Sequence, residues 1–140
     1  MAEASTRIDI PQPADQVWQL IGGFGSLPDW LPYIPKSELS EGGRVRHLAN
    51  PNGEAIVERL IAFDNAARSY SYAILKAPFP VKDYRSTLKV VETGATSSRV
   101  EWSGRFTPTT VSDQEISKLF EGIYEDGLKA LATGLAKKAK

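Results

Sequence analysis

The chain has 140 residues and no cysteine, and its 17 Lys and Arg residues balance its 17 Asp and Glu residues. This length suits one domain with one core, so we expect residues 1–140 to form a single domain. Zero net charge and a pI of about 6.6 argue against nucleic acid or an anionic membrane surface as partner. With no apolar run long enough for stable membrane insertion, we interpret the protein as cytoplasmic.

The N-terminal quarter predicts a strand, a helix and an aromatic loop. The strand covers Thr6–Ile10, and the helix runs from Pro13 to Ile21, because proline suits a first helical turn and a glycine pair follows the last. The segment Gly25–Pro35 contains three prolines and permits at most one helical turn. Within it, Trp30 and Tyr33 are candidates for the rim of an entrance.

A meander of strands comes next. Turn signals, among them Gly42-Gly43 and Asn52-Gly53, separate the predicted strands. These strands are Ser37–Glu41, Arg44–Ala49, Ala55–Asp64, Ser69–Ala77, Val81–Val91 and Ser98–Thr107. The pattern predicts a long antiparallel sheet.

The last predicted element is a helix from Asp113 to Lys138. Ser112 is its N-cap, and Glu115 completes a capping box. At 1.5 Å per residue this helix reaches about 39 Å, enough to cross a small domain. A 3.6-residue period places one apolar stripe along it: Ile116, Leu119, Phe120, Ile123, Tyr124, Leu128, Leu131 and Leu135. Gly127 lies in the same stripe and leaves room either for a ligand or for closer packing against the sheet.

The strand Val81–Val91 has two contrasting faces. One is charged, whereas the other carries Tyr84 and Ser86 beside Leu88 and Val90. A buried hydroxyl without a partner costs about 1–3 kcal/mol, so hydroxyls on the inward face favour a lined cavity. The alternative is that Tyr84 caps the sheet with its hydroxyl in water.

The order of elements and several local motifs resemble the START-like superfamily, also called SRPBCC, in its bacterial polyketide cyclase/dehydrase-type branch. The motifs are QVWQLIGGFGSLPDWLP, GEAIVERLIAFD, SYSYAI, DYRSTLKV, VEWSGRF and GIYEDGLKAL. The resemblance implies an α+β helix-grip fold, in which a curved antiparallel sheet of about seven strands wraps around the long C-terminal helix. It also implies short N-terminal helices and an internal cavity that admits an apolar small molecule.

A narrower pattern is similar to the plant abscisic acid receptors of the same superfamily. Lys36, Glu58, Tyr84 and Ser86 match receptor positions at which a lysine pairs with the ligand carboxylate and the other groups hold waters beside it. The resemblance therefore implies that the cavity has a polar end, at which Lys36 pairs with the carboxylate of the ligand. The receptors' gate and latch loops are not reproduced here, so a phosphatase partner is not implied.

The direction of Glu58 on its strand is open from periodicity. The apolar residues of Ala55–Asp64 mostly occupy odd positions, which would place Glu58 outside, whereas the resemblance places it inside. A β-bulge would switch the alternation partway along the strand. An inward Glu58 needs a cation, with Arg46 and Lys36 as candidates.

Tyr72, Trp102 and Tyr124 complete the predicted ligand-binding set with Lys36, Glu58, Tyr84, Ser86 and Gly127. Tyr70 is assigned to core packing. The single histidine, His47, has no partner set for a metal or a catalytic triad and is predicted at the surface. We therefore expect no metal and no cofactor, and no catalytic residue is assigned.

Three functions remain open from the sequence. The preferred one is binding of a hydrophobic small molecule for transport, sequestration or sensing. This molecule is a lipid, a polyketide or another hydrophobic metabolite, with or without a carboxylate or carbonyl end. The second is a polyketide-type cyclase, dehydratase or isomerase, in which the cavity folds the substrate and Glu58 and Tyr84 supply acid–base groups. The third is an interaction protein whose cavity is filled by Trp102, Tyr72 and Phe120.

Overall fold

A computed structural model describes residues 2–31 and 34–138 of the chain. Within these residues seven strands, three helices and a short 3₁₀ turn (Glu41–Gly43) follow one another. The helices are α1 (Ala14–Ile21), α2 (Leu27–Trp30) and α3 (Asp113–Lys138). The strands are β1 (Ala2–Ile10), β2 (Lys36–Ser40), β3 (Val45–Ala49), β4 (Ala55–Asp64), β5 (Ser69–Lys76), β6 (Val81–Gly94) and β7 (Ser97–Pro108).

The strands form one antiparallel sheet in the order β1-β7-β6-β5-β4-β3-β2. Strand β1 begins at Ala2, four residues before the predicted start, because it pairs with β7 along its whole length from Ala2 to Ile10. The aromatic loop contains a single helical turn, α2, as predicted. This arrangement confirms the α+β helix-grip fold with a curved antiparallel sheet and a C-terminal helix.

Helix α3 packs its apolar stripe against the concave face of the sheet. The backbone N–H of Glu115 donates to Ser112 Oγ at 3.1 Å, which confirms Ser112 as the N-cap. Glu115 Oε1 accepts from the Ser112 hydroxyl at 3.4 Å, which is not the reciprocal bond to the Ser112 backbone N–H that defines a capping box. Most of the stripe is buried: Ile116, Phe120, Tyr124, Leu128, Leu131 and Leu135. Leu119 differs from the prediction, since 39% of it remains exposed at the solvent edge of the stripe. In the part of the chain that the structure describes, no helix combines the length and apolarity needed to cross a bilayer.

Strand β4 contains a β-bulge, a possibility that its sequence left undecided. Leu60 pairs with Tyr72 and Ala62 with Ser71, so Ile61 is an extra residue in the ladder. Before the bulge the even positions, including Glu58, face inward, and after it Phe63 pairs with the inward Tyr70. The alternation of apolar residues therefore predicted the wrong face for the first half of β4.

Candidate functional site

A cavity of about 250 Å³ lies between the concave face of the sheet, α3 and the loop around α2. Most of its lining is apolar: Leu27, Leu31, Ile34, Leu48, Ile56, Ile74, Phe79, Phe120 and Ile123. Its polar side chains are Arg46, Glu58, Tyr72, Tyr84, Trp102 and Tyr124. The turn after β3 contributes Asn50 and Pro51 to the same wall.

Small residues under α3 make room for the polar part of this lining. Gly104 on β7 lies between Ala4 on β1 and Ser86 on β6 in one row across the sheet. A Cβ at Gly104 would overlap the hydroxyl of Tyr124. Glycine is therefore favoured at this position because the tyrosine hydroxyl approaches the strand backbone directly.

The hydroxyls on β5, β6 and α3 form one hydrogen-bonded group, here called the tyrosine cluster (Tyr72, Tyr84, Ser86, Trp102 and Tyr124). The hydroxyls of Tyr84 and Tyr124 are hydrogen bonded to each other. Trp102 Nε1 donates to Tyr72 Oη and to Ser86 Oγ, each at 3.1 Å. The hydroxyl hydrogens of the tyrosines can rotate, so the cluster can donate to or accept from a bound molecule.

Burial keeps the tyrosines of this cluster in their neutral, proton-bearing form. It raises the pKa of Tyr72 and of Tyr84 well above their ordinary value, and it raises the pKa of Tyr124 to about 12. The coulombic effect of Glu58 adds to each of these increases. The cluster therefore offers O–H groups, not phenolates, at neutral pH.

The second polar group of the cavity is a buried ion pair between Arg46 on β3 and Glu58 on β4. Arg46 Nε donates to Glu58 Oε1 at 2.7 Å, and Arg46 Nη2 lies 2.7 Å from the same oxygen. Arg46 Nη1 donates to the Phe24 carbonyl at 3.1 Å and to Tyr70 Oη at 3.3 Å. The guanidinium also lies over the ring of Phe24, 4.2 Å from its centroid.

Both members of the pair have shifted pKa values. Burial raises the pKa of Glu58, and the charge and hydrogen bond of Arg46 offset part of that increase. For Arg46 burial lowers the pKa, but the Glu58 charge and the nearby tyrosines outweigh it and leave the pKa above its ordinary value. A carboxylate with a raised pKa in a cavity wall is a candidate proton acceptor, and this role stays a prediction.

The structure brings five of the predicted ligand-binding residues into the cavity lining: Glu58, Tyr72, Tyr84, Trp102 and Tyr124. Ser86 is buried behind them, where its hydroxyl accepts from Trp102 and donates to the Ser103 carbonyl. Gly127 is buried on α3 but is not part of the described lining. The ligand-binding role of all these residues stays a prediction.

Lys36 requires a correction. It is the first residue of β2 and pairs with Ala49, which places Ser37 and Leu39 on the inward side and Lys36 on the outward side. Its side chain is 65% exposed and lies 3.3 Å from Glu38. The predicted inward ammonium is therefore wrong in this geometry, and Arg46 is the cation that meets Glu58.

The remaining aromatic candidates have other positions. Tyr70 is a buried core residue, as predicted, and its hydroxyl accepts from Arg46. Trp30 packs behind Trp102 with ring centroids 5.8 Å apart and is buried, so it does not form a rim. Tyr33 lies outside the described residues. His47 is exposed and hydrogen bonded to Ser40, as expected for a surface residue.

A wider depression of about 480 Å³ lies on a different part of the protein. Its lining includes exposed charged side chains of both signs, among them Glu3, Arg85, Arg105 and Glu121. It contains neither the tyrosine cluster nor the ion pair. The smaller, apolar cavity under α3 is therefore the candidate functional site.

Comparisons with known proteins agree with this fold. The family described as "Polyketide cyclase / dehydrase and lipid transport" matches residues 1–136. An uncharacterised protein from Bacillus thuringiensis has 60% identity and a TM-score of 0.93, with 94% of this chain and 97% of that chain covered. The protein XoxI from Bacillus cereus has 57% identity and a TM-score of 0.96, with 100% and 99% covered. A START superfamily protein from Mycobacterium smegmatis shares the fold at 15% identity, with both chains fully covered and a TM-score of 0.81.

Proposed function

Because this chain belongs to the polyketide cyclase / dehydrase and lipid transport family, we propose that it binds an apolar small molecule under α3 for transport, sequestration or sensing. The observation that carries the proposal is the lining of the cavity, which is apolar and aromatic over most of its surface with a few convergent polar groups. The proposed ligand contacts are Glu58, Tyr72, Tyr84, Trp102 and Tyr124, and Ser86 orients Trp102 through its hydrogen bond.

The volume of the cavity limits the size of the ligand. A volume of about 250 Å³ is just below the range of roughly 300–1,000 Å³ typical of small-molecule sites. A compound of one or two rings, or a short acyl chain, matches this volume. A long lipid or an extended polyketide requires the loops at Pro51 and Phe79 to move apart.

The first test is mass spectrometry of small molecules extracted from the protein purified from its native host. A matched pair of variants then locates the site. Ile74 lines the cavity, whereas the adjacent Leu75 is 54% exposed. Ile74→Phe should fill the cavity and abolish binding of the extracted molecule, and Leu75→Phe should leave binding unchanged. Equal affinity of both variants would refute the proposed site, provided that circular dichroism shows both folded.

A second candidate function is catalysis of a cyclisation, dehydration or isomerisation. The observation that favours it is a carboxylate with a raised pKa in the same cavity as the Tyr84 and Tyr124 hydroxyls. Glu58 would accept a proton beside a substrate carbonyl while the tyrosine hydroxyls donate hydrogen bonds to the carbonyl oxygen. An enzyme converts the extracted molecule and a carrier returns it unchanged. Glu58→Gln should then abolish conversion but retain binding.

The proposal treats residues 1–140 as one START-like ligand-binding domain that acts in the cytoplasm without a nucleic-acid partner or a cofactor. Its support is the balanced charge and the cysteine-free composition of the sequence. Fractionation of the native host, with detection of the protein by a specific antibody, tests the location. Recovery with the membrane fraction or from the medium would contradict it.

A further inference from the structure

We infer that the cavity selects neutral ligands that carry a hydroxyl donor on an aromatic ring, such as phenols, and discriminates against carboxylates. This inference rests on the proposed binding function and names its ligand class. It replaces the expectation of a carboxylate end, which depended on an inward Lys36.

The first argument is the charge of the lining. Arg46 and Glu58 supply one positive and one negative charge, and no other charged side chain lines the cavity within the described residues. The guanidinium already engages Glu58, the Phe24 carbonyl and Tyr70. A ligand carboxylate would lose its hydration without gaining a free cation, and it would lie near the Glu58 charge.

The second argument is the geometry of Glu58. Both contacts from Arg46 are made with Oε1. No described residue donates a hydrogen bond to the other oxygen, Oε2, although Glu58 lines the cavity. A carboxylate oxygen in a low-dielectric cavity is a strong acceptor, and a ligand O–H is its natural complement.

The third argument is the aromatic wall on which such a ring would lie. Trp102 and Tyr124 stack with ring centroids 4.7 Å apart, and Tyr84 and Phe120 lie 4.9 Å apart. The ring of a ligand can pack at contact distance against the faces and edges of these side chains. The tyrosine hydroxyls beside them accept or donate one additional hydrogen bond to the ligand oxygen.

The experiment is a calorimetric titration at neutral pH with three matched probes: 4-propylphenol, its methyl ether 4-propylanisole, and 4-propylbenzoate. The phenol should bind about 10- to 100-fold more tightly than the ether, because only the phenol donates to a charged acceptor. The benzoate should bind at least about 10-fold more weakly than the ether, because its charge is not compensated.

A double variant, Arg46→Met with Glu58→Leu, tests the assignment to the ion pair. Replacing both members of a buried pair by apolar residues is often tolerated, whereas removing one leaves an unpaired charge. In this variant the affinity for the phenol should fall to that for the ether, so the preference for the phenol is lost. Lys36→Met, which removes an exposed charge, is the control and should retain the preference.

The outcomes separate the two proposals. Equal binding of phenol and ether, or tightest binding of the benzoate, overturns the ligand class and leaves the proposed binding function intact. A phenol preference that persists in the folded double variant also overturns the inference. If none of the three probes binds at millimolar concentration, two statements are refuted. These are the proposed ligand class and the proposal that the cavity binds a small aromatic molecule.

Discussion

Replacing Gly104 by alanine tests whether the tyrosine cluster depends on direct contact with the β7 backbone. The backbone of Gly104 is not in the left-handed region, so alanine can adopt it without strain. The added methyl group would overlap Tyr124 Oη, but it would lie 3.4 Å from Tyr124 Cζ and from the Arg85 carbonyl, which is ordinary contact. The obstacle is therefore one hydroxyl group.

The size of the effect follows from two opposing contributions. Inserting a methyl group into a packed site costs about 1–3 kcal/mol, and the gain from replacing a compatible glycine is about 0.4–1 kcal/mol. We expect Gly104→Ala to lower the free energy of unfolding by about 1–2 kcal/mol. It should also break the hydrogen bond between Tyr84 and Tyr124 by displacing the latter.

The assay is urea denaturation followed by circular dichroism for four proteins: the unchanged protein, Gly104→Ala, Tyr124→Phe and the double variant. In the Tyr124→Phe background the overlapping oxygen is gone, so adding Gly104→Ala should cost almost nothing. The coupling between the two changes should then be about 1–2 kcal/mol. Additive effects would refute the explanation for this glycine.

Three further predictions use other parts of the site. Trp102→Phe removes the donor to Tyr72 and Ser86 and should lower the free energy of unfolding by about 1–3 kcal/mol in urea denaturation. Burial raises the pKa of Tyr124 from its ordinary value of 10.0 to about 12. Its stabilising effect should be complete below pH 10 and disappear as the pH rises through 12, at up to about 1.4 kcal/mol per pH unit. Denaturation across this range should show a smaller decrease for Tyr124→Phe, and a decrease equal to that of the unchanged protein would contradict the shift. Lys36→Met should change the free energy of unfolding by no more than about 0.5 kcal/mol and leave ligand affinity unchanged, and a loss specific to carboxylate ligands would contradict its outward position.

Much of the fold was predictable because its elements have regular periods. The alternation in β6 correctly placed Tyr84 and Ser86 on the inward face, and the 3.6-residue period correctly placed Tyr124 on the buried face of α3. These predictions succeeded where one pattern extends without interruption over a whole element.

The rest of the site depends on features that interrupt a pattern. The bulge at Ile61 reverses the alternation of β4, so periodicity could not orient Glu58. Lys36 faces outward because it is the first residue of β2 and pairs with Ala49. A match between sequence positions of related proteins does not determine which residues pair in the sheet. A glycine inside a strand often signals close backbone approach, so Gly104 could have been identified as part of the site.

The irregular pairing of β4 with β5 also separates the sheet into two groups of strands. Strands β3 and β4 carry the ion pair of Arg46 and Glu58, whereas β5, β6 and β7 carry most of the tyrosine cluster. The two groups are joined through a ladder interrupted at Leu75 and at Ile61. Bulges leave amides without ladder partners, and such segments open at lower free energy than regular ones. The acceptor and most of the donors of the cavity therefore lie on opposite sides of this interrupted ladder, and the distance between them depends on its geometry.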